Sequence, residues 1–76
     1  MNMHPVATVE FVDRETTDGG IATVRASKGS VALGLSLRAN GDIEVFLDAK
    51  ACHRLTEALL SALAIADDVA PPLSRG

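Results

Sequence analysis

Hydrophobic and polar residues alternate along the middle of the chain. In "SVALGLSLR" (residues 30–38), Val31, Leu33, Leu35 and Leu37 fall on one side and Ala32, Gly34, Ser36 and Arg38 on the other. That is the two-residue period of a half-buried strand. "DIEVFL" (42–47) repeats it, with Ile43, Val45 and Leu47 set against Glu44 and Phe46. Asn40-Gly41 between them is the commonest two-residue hairpin signal. A two-residue turn, however, would place Leu37 against Glu44 and Arg38 against Ile43. A three-residue loop, Ala39-Asn40-Gly41, instead pairs Leu37 with Ile43, Leu35 with Val45 and Leu33 with Leu47. Gly41 then takes the left-handed position that follows a type I turn. A one-residue slip exchanges the two faces of a strand, so burial selects the three-residue loop.

The same reasoning extends upstream. "GIATVRAS" (20–27) and "SVALGL" meet across Lys28-Gly29, pairing Ala26 with Val31, Val24 with Leu33 and Ala22 with Leu35. "VATVEFVD" (6–13) then pairs Val9 with Val24 and Phe11 with Ala22 across the loop "RETTDG". One face of the predicted sheet is apolar throughout, from Ala7 to Leu47. Downstream, Asp48 is a good N-cap, and Leu47 and Cys52 have the spacing of a hydrophobic staple. From Ala49 to about Ala66, apolar residues recur three and four apart at Cys52, Leu55, Leu59, Ala62, Leu63 and Ala66, the spacing of one helix face. His53, Glu57, Lys50, Ser61 and Arg54 share the opposite side. Asp67-Asp68 oppose the negative end of the helix dipole and should end the helix.

The predicted fold is therefore α+β: a four-stranded antiparallel meander followed by one C-terminal helix packed on one sheet face, in two layers. Residues 1–5 are expected to be a flexible N-terminus, 6–66 a single ββββα domain, and 67–76 a flexible, Pro-containing tail.

Composition changes this picture mainly by making the core hard to build. The 76 residues are 47% hydrophobic but only 3% aromatic, with no Trp or Tyr. Domains of this size often need disulfides, metals or oligomerisation. The single Cys excludes an internal disulfide, and no Cys/His cluster suggests a zinc site. Oligomerisation remains. The net charge of −3 argues against nucleic acid, whose phosphates call for a basic excess. No apolar run is long enough to span a membrane. "MNMHPVATVEF" does not read as a signal peptide, so a reducing cytoplasm is expected. The abundance of Ala, and five Arg against two Lys, suggest a GC-rich bacterial or phage source.

Candidate chemistry is sparse. Cys52 and His53 are adjacent, but helical neighbours point about 100° apart and form no nucleophile pair. Cys52 is expected in the core, His53 and Glu57 as a surface pair, and His4 as part of the flexible start. The loop "DRETTDGG" holds Asp13, Glu15 and Asp18 but lacks the spacing of an EF-hand, and it reads as a solvated hairpin loop. The glycines do not form a phosphate loop. No cofactor, metal site or paired acid/base constellation is found, so the protein is expected to be non-enzymatic.

The outer sheet face is more informative. Phe46, read as lying over Gly34, joins Arg25 and Arg38 there. With Arg54 of the helix, these form the candidate ligand or partner face. The helix also carries apolar surface beyond its sheet-facing stripe. Ala51, Ala58, Leu60, Ala62 and Ile65 are the candidate homodimer interface, with the outer sheet face through Val12, Ile21 and Phe46 ranked second.

In outline, a meander followed by a helix over about residues 6–66 resembles the single-stranded-DNA-binding transcriptional coactivator fold, which dimerises and binds DNA on curved sheets. That family's basic and aromatic strand positions are not matched by "ATVEFVD" or "LGLSLR". The expected function is a small acidic homodimeric interaction protein, accessory or inhibitory, acting on an unknown protein partner. The alternatives are a small-ligand or nucleotide binder at a dimer cleft, and a weak single-stranded nucleic-acid binder.

Overall fold

The alternating segments form four strands and the 3.6-residue pattern forms one helix. A computed structural model describes residues 2–68 of the chain. The elements are β1 (His4–Val12), β2 (Gly19–Ser27), β3 (Ser30–Leu37), β4 (Gly41–Asp48) and α1 (Ala49–Ala66). The strands form one antiparallel sheet in the order β1-β2-β3-β4, so every pairing joins sequence neighbours. The chain is thus a ββββα, α+β fold. Residues 69–76, most of the predicted tail, lie outside the described residues.

The expected flexible start is corrected in part. His4 and Pro5 belong to β1, opposite Ala26 and Arg25, and the register shifts between Pro5 and Ala7. Pro5 has no N–H to donate, and an edge strand tolerates that loss.

The β2–β3 register agrees with the sequence expectation: Ala26 faces Val31, Val24 faces Leu33 and Ala22 faces Leu35. The two flanking registers are each displaced by two residues. Val9 faces Ala22 and Phe11 faces Gly20, while Leu35 faces Ile43, Leu33 faces Val45 and Leu37 faces Gly41. A two-residue slip leaves every side chain on its own face, so alternation alone does not distinguish these registers. Side-chain fit does. A Cβ built on Gly20 would lie 2.5 Å from Phe11 Cζ and 2.9 Å from Leu37 Cδ2. Phe11 and Leu37 therefore fill the space that glycine leaves free. At the other hairpin, Arg38, Ala39 and Asn40 form the turn, and the Asn40 amide donates to the Leu37 carbonyl at 3.2 Å. Gly41 has φ +85°, the left-handed position foreseen for it, which glycine adopts without a Cβ penalty.

α1 begins without a connecting loop. Asp48 is the last residue of β4 and also the N-cap, with extended backbone (φ −76°, ψ 171°). Its Oδ1 accepts from the Ala51 amide at 2.8 Å, satisfying one of the free N–H groups of the first turn. At the other end, the Asp67 amide donates to Leu63 O at 2.8 Å and Asp68 takes φ 58°. The helix ends where the paired aspartates required.

Its packing is less complete than the amphipathic pattern predicts. The first turns meet the sheet, where Ala49, Cys52, His53 and Thr56 line a depression with Val31. Further along, Leu59, Leu60, Leu63 and Ile65 point to different sides of the helix and all are exposed. No residue of α1 is buried. The Cα radius of gyration is 14.7 Å, against about 11 Å for a compact chain of this length. Among the described residues, Ala32 is the one buried apolar residue.

Candidate interaction surfaces

The outer face of the sheet is mixed, with Val12, Ile21 and Phe46 exposed among its polar residues, and it covers its own centre. Arg25, Ala32 and Phe46 stand in register across β2, β3 and β4, and the next row is Thr23, Gly34 and Glu44. Phe46 therefore lies opposite Ala32 and not Gly34, a consequence of the two-residue displacement at β3–β4. Ala32 is 1% exposed between its two large neighbours. Gly34 is covered by Thr23 instead: a Cβ there would sit 2.6 Å from Thr23 Oγ1. The guanidinium of Arg25 pairs with the Glu44 carboxylate one row away. In the following row the Ser36 hydroxyl donates to Asp42 Oδ1 at 2.5 Å. The face is thus a ladder of short polar pairs.

Of the four candidate face residues, the fold brings Arg25 and Phe46 together. Arg38 lies on the same face but toward the other end, where its guanidinium passes over Gly19, with Nη2 3.6 Å from where a Cβ would stand. With Glu10, Val12, Ile21 and Ser36 it lines a shallow depression of about 520 Å³. Arg54 is on α1 and exposed, without an ion pair or hydrogen bond to the other three. Among the described residues, no ion pair joins His53 to Glu57.

The acidic loop has a structural use. Asp13 Oδ1 accepts from the Glu15 amide at 2.8 Å, and Asp18 Oδ2 accepts from the Ala39 amide at 2.7 Å. Two of its three carboxylates therefore hold backbone, and Asp18 ties the β1–β2 loop to the β3–β4 turn. Among the described residues, no group of His, Cys, Asp and Glu is arranged to hold a metal ion.

The inner face is apolar and only partly covered. Leu35 and the edge-strand residues Val9, Ile43 and Val45 are 41–62% exposed, whereas Val24, Val31 and Leu33 of the central strands are half-buried. The candidate dimer residues Ala51, Ala58, Leu60, Ala62 and Ile65 are all exposed as well. The sequence indicated the leftover apolar surface of the helix but not that part of the inner sheet face and of the sheet-facing stripe would also stay uncovered within one chain. The direct step from β4 into α1 was the available signal. Cys52, expected in the core, is half-buried, at the point where the helix still touches β3. No helix among the described residues is long and apolar enough to cross a membrane.

No protein-family model, curated protein or solved structure matches the chain, so the outline likeness to the coactivator fold carries no functional argument.

Proposed function

We propose that the chain is a non-enzymatic homodimeric interaction module that binds another protein, in the manner of a bacterial or phage accessory or inhibitory protein. The observation that carries this reading is exposed apolar surface on the inner side: Leu35 and the edge-strand residues Val9, Ile43 and Val45 are 41–62% exposed, and Leu59 and Leu63 of the helix are 61% and 53%, surface that association covers. Large exposed apolar patches mark interaction sites. With the inner face occupied, the outer ladder of Arg25, Glu44, Ser36 and Asp42 is left facing outward. The net charge of −3 suits a partner with a basic surface, toward which electrostatic complementarity raises the association rate.

Light scattering across the low micromolar range, with circular dichroism on the same samples, tests the homodimer. The expected result is a folded species of twice the chain mass. A folded, stable monomer would overturn the reading.

The depression beside Arg38 favours a second reading, a small anionic ligand held there. Calorimetric titration with a nucleotide separates the two, because a module that works by protein binding gives no heat of binding.

A further inference from the structure

We infer that two copies exchange helices, so that α1 of each chain lies across the inner face of the other chain's sheet. This rests on the homodimeric reading above and adds which surface meets which.

The first reason is the connection. Strand-to-helix loops usually have two to six residues, enough to reverse the chain and lay the helix back on its own sheet. Here Asp48 ends β4 and caps α1, with no residue between. The helix is carried onward from the strand, and its last turns lie clear of the sheet, with Leu59 and Leu63 exposed. A helix that meets its own sheet only along its first turns leaves the rest of its apolar stripe for another surface, and domain exchange is a low-cost route to a dimer.

The second reason is fit. α1 has 18 residues and is therefore about 27 Å long. Strands of eight and nine residues span about 27–30 Å, so one helix matches the length of one sheet. The inner face carries no charged strand residue from Ala7 to Leu47, and the helix stripe of Leu55, Leu59 and Leu63 is likewise uncharged. Lys50, Glu57 and Ser61 on the far side of the helix stay in water when the stripe is docked.

The third reason is area. The chain exposes 6161 Å², whereas a folded monomer of this mass should expose about 4,400 Å², an excess of about 1,700 Å². A standard interface takes about 800 Å² from each partner. Half of the excess is therefore enough for a stable dimer. Reciprocal exchange is isologous and closes at two chains, so it buries both unpartnered surfaces without building a filament.

The test is to supply the missing loop. Eight Gly/Ser residues inserted between Leu47 and Asp48 preserve the N-cap and let α1 fold back on its own sheet. Light scattering should then show the mass falling twofold, from dimer to monomer, with unchanged helix content. An insertion variant that stays dimeric at the same concentrations overturns the exchange while leaving the homodimer intact; a wild type that is itself monomeric overturns both. Should the insertion variant fail to fold, disulfide trapping decides. Chains carrying Cys52→Ala with Leu59→Cys, and chains carrying Cys52→Ala with Leu35→Cys, are unfolded together, refolded and oxidised. Cross-linking between the two kinds of chain supports exchange. Cross-linking only between identical chains overturns it.

Discussion

Ala32 on the outer face is 1% exposed, whereas Ile43 on the inner face keeps 62% of its surface in contact with solvent. Ala32 is covered because its neighbours on that face are long or hydrogen-bonded, although Val12 and Phe46 on the edge strands of the same face remain 63% and 62% exposed. Arg25 and Phe46 flank Ala32, Thr23 covers Gly34, Arg25–Glu44 joins neighbouring rows, and Ser36–Asp42 pairs within the next row. The apolar face is built from Val, Leu, Ile and Ala, which stand upright and cannot fold over one another as an arginine stem can. Phe11, which lies against Gly20, is the exception and shows what is missing elsewhere. A sheet poor in aromatics needs a second layer on its apolar side, and a helix that meets the sheet only along its first turns supplies part of one.

The contrast predicts unequal responses to substitution. Val45→Asp places a charge where the proposed second layer docks. It should abolish the proposed dimer and cost at least ~3 kcal/mol, as an unpaired buried charge does. Light scattering and urea unfolding read this directly, and retention of the dimer would contradict assembly through the inner face. Gly20→Ala probes the one crowded place on that face. The new methyl meets Phe11 and Leu37, and a lower urea midpoint equivalent to about 1–3 kcal/mol is expected from overpacking. Gly41→Val should cost more than about 1 kcal/mol. Nothing lies within 4 Å of a Cβ at Gly41, so any loss measured there belongs to its backbone alone, and a neutral result would discount the left-handed turn. The smallest effect is expected from Phe46→Glu on the outer face, within about 0.5 kcal/mol as for other surface changes, with the dimer intact. Dissociation by this variant alone would move the interface to the opposite side.

The element order, the bounds of α1 and the β2–β3 register were legible because each has a local cause: Asp48 as cap, Asp67-Asp68 as stop, and a two-residue turn with Gly29 at φ +80°. The two outer registers were not. Face parity is preserved by a two-residue slip, and the choice rests on where an aromatic ring finds a glycine. Phe46 and Gly34 looked like that pair, but Phe11 and Gly20 are. How much of the sheet the helix covers was illegible for a different reason. A pattern of apolar residues states that a surface will be covered but not which molecule covers it. Arg25, Arg38 and Phe46 were correctly placed on one face, yet their division between an ion pair with Glu44 and a depression near Gly19 depends on that same two-residue register.

The meander also bears on how the protein reaches its final state. Every strand pairs with its sequence neighbour, so contact order is low and each hairpin closes over a short turn, an event of about 1–10 μs. Nothing in the sheet demands a long search through conformations. If the layer over the inner face comes from another chain, the slow step is a collision, and the observed refolding rate rises in proportion to protein concentration. Dilution would then separate two phases that coincide in most domains of this size: a fast one that forms strands, and a second-order one that dries them.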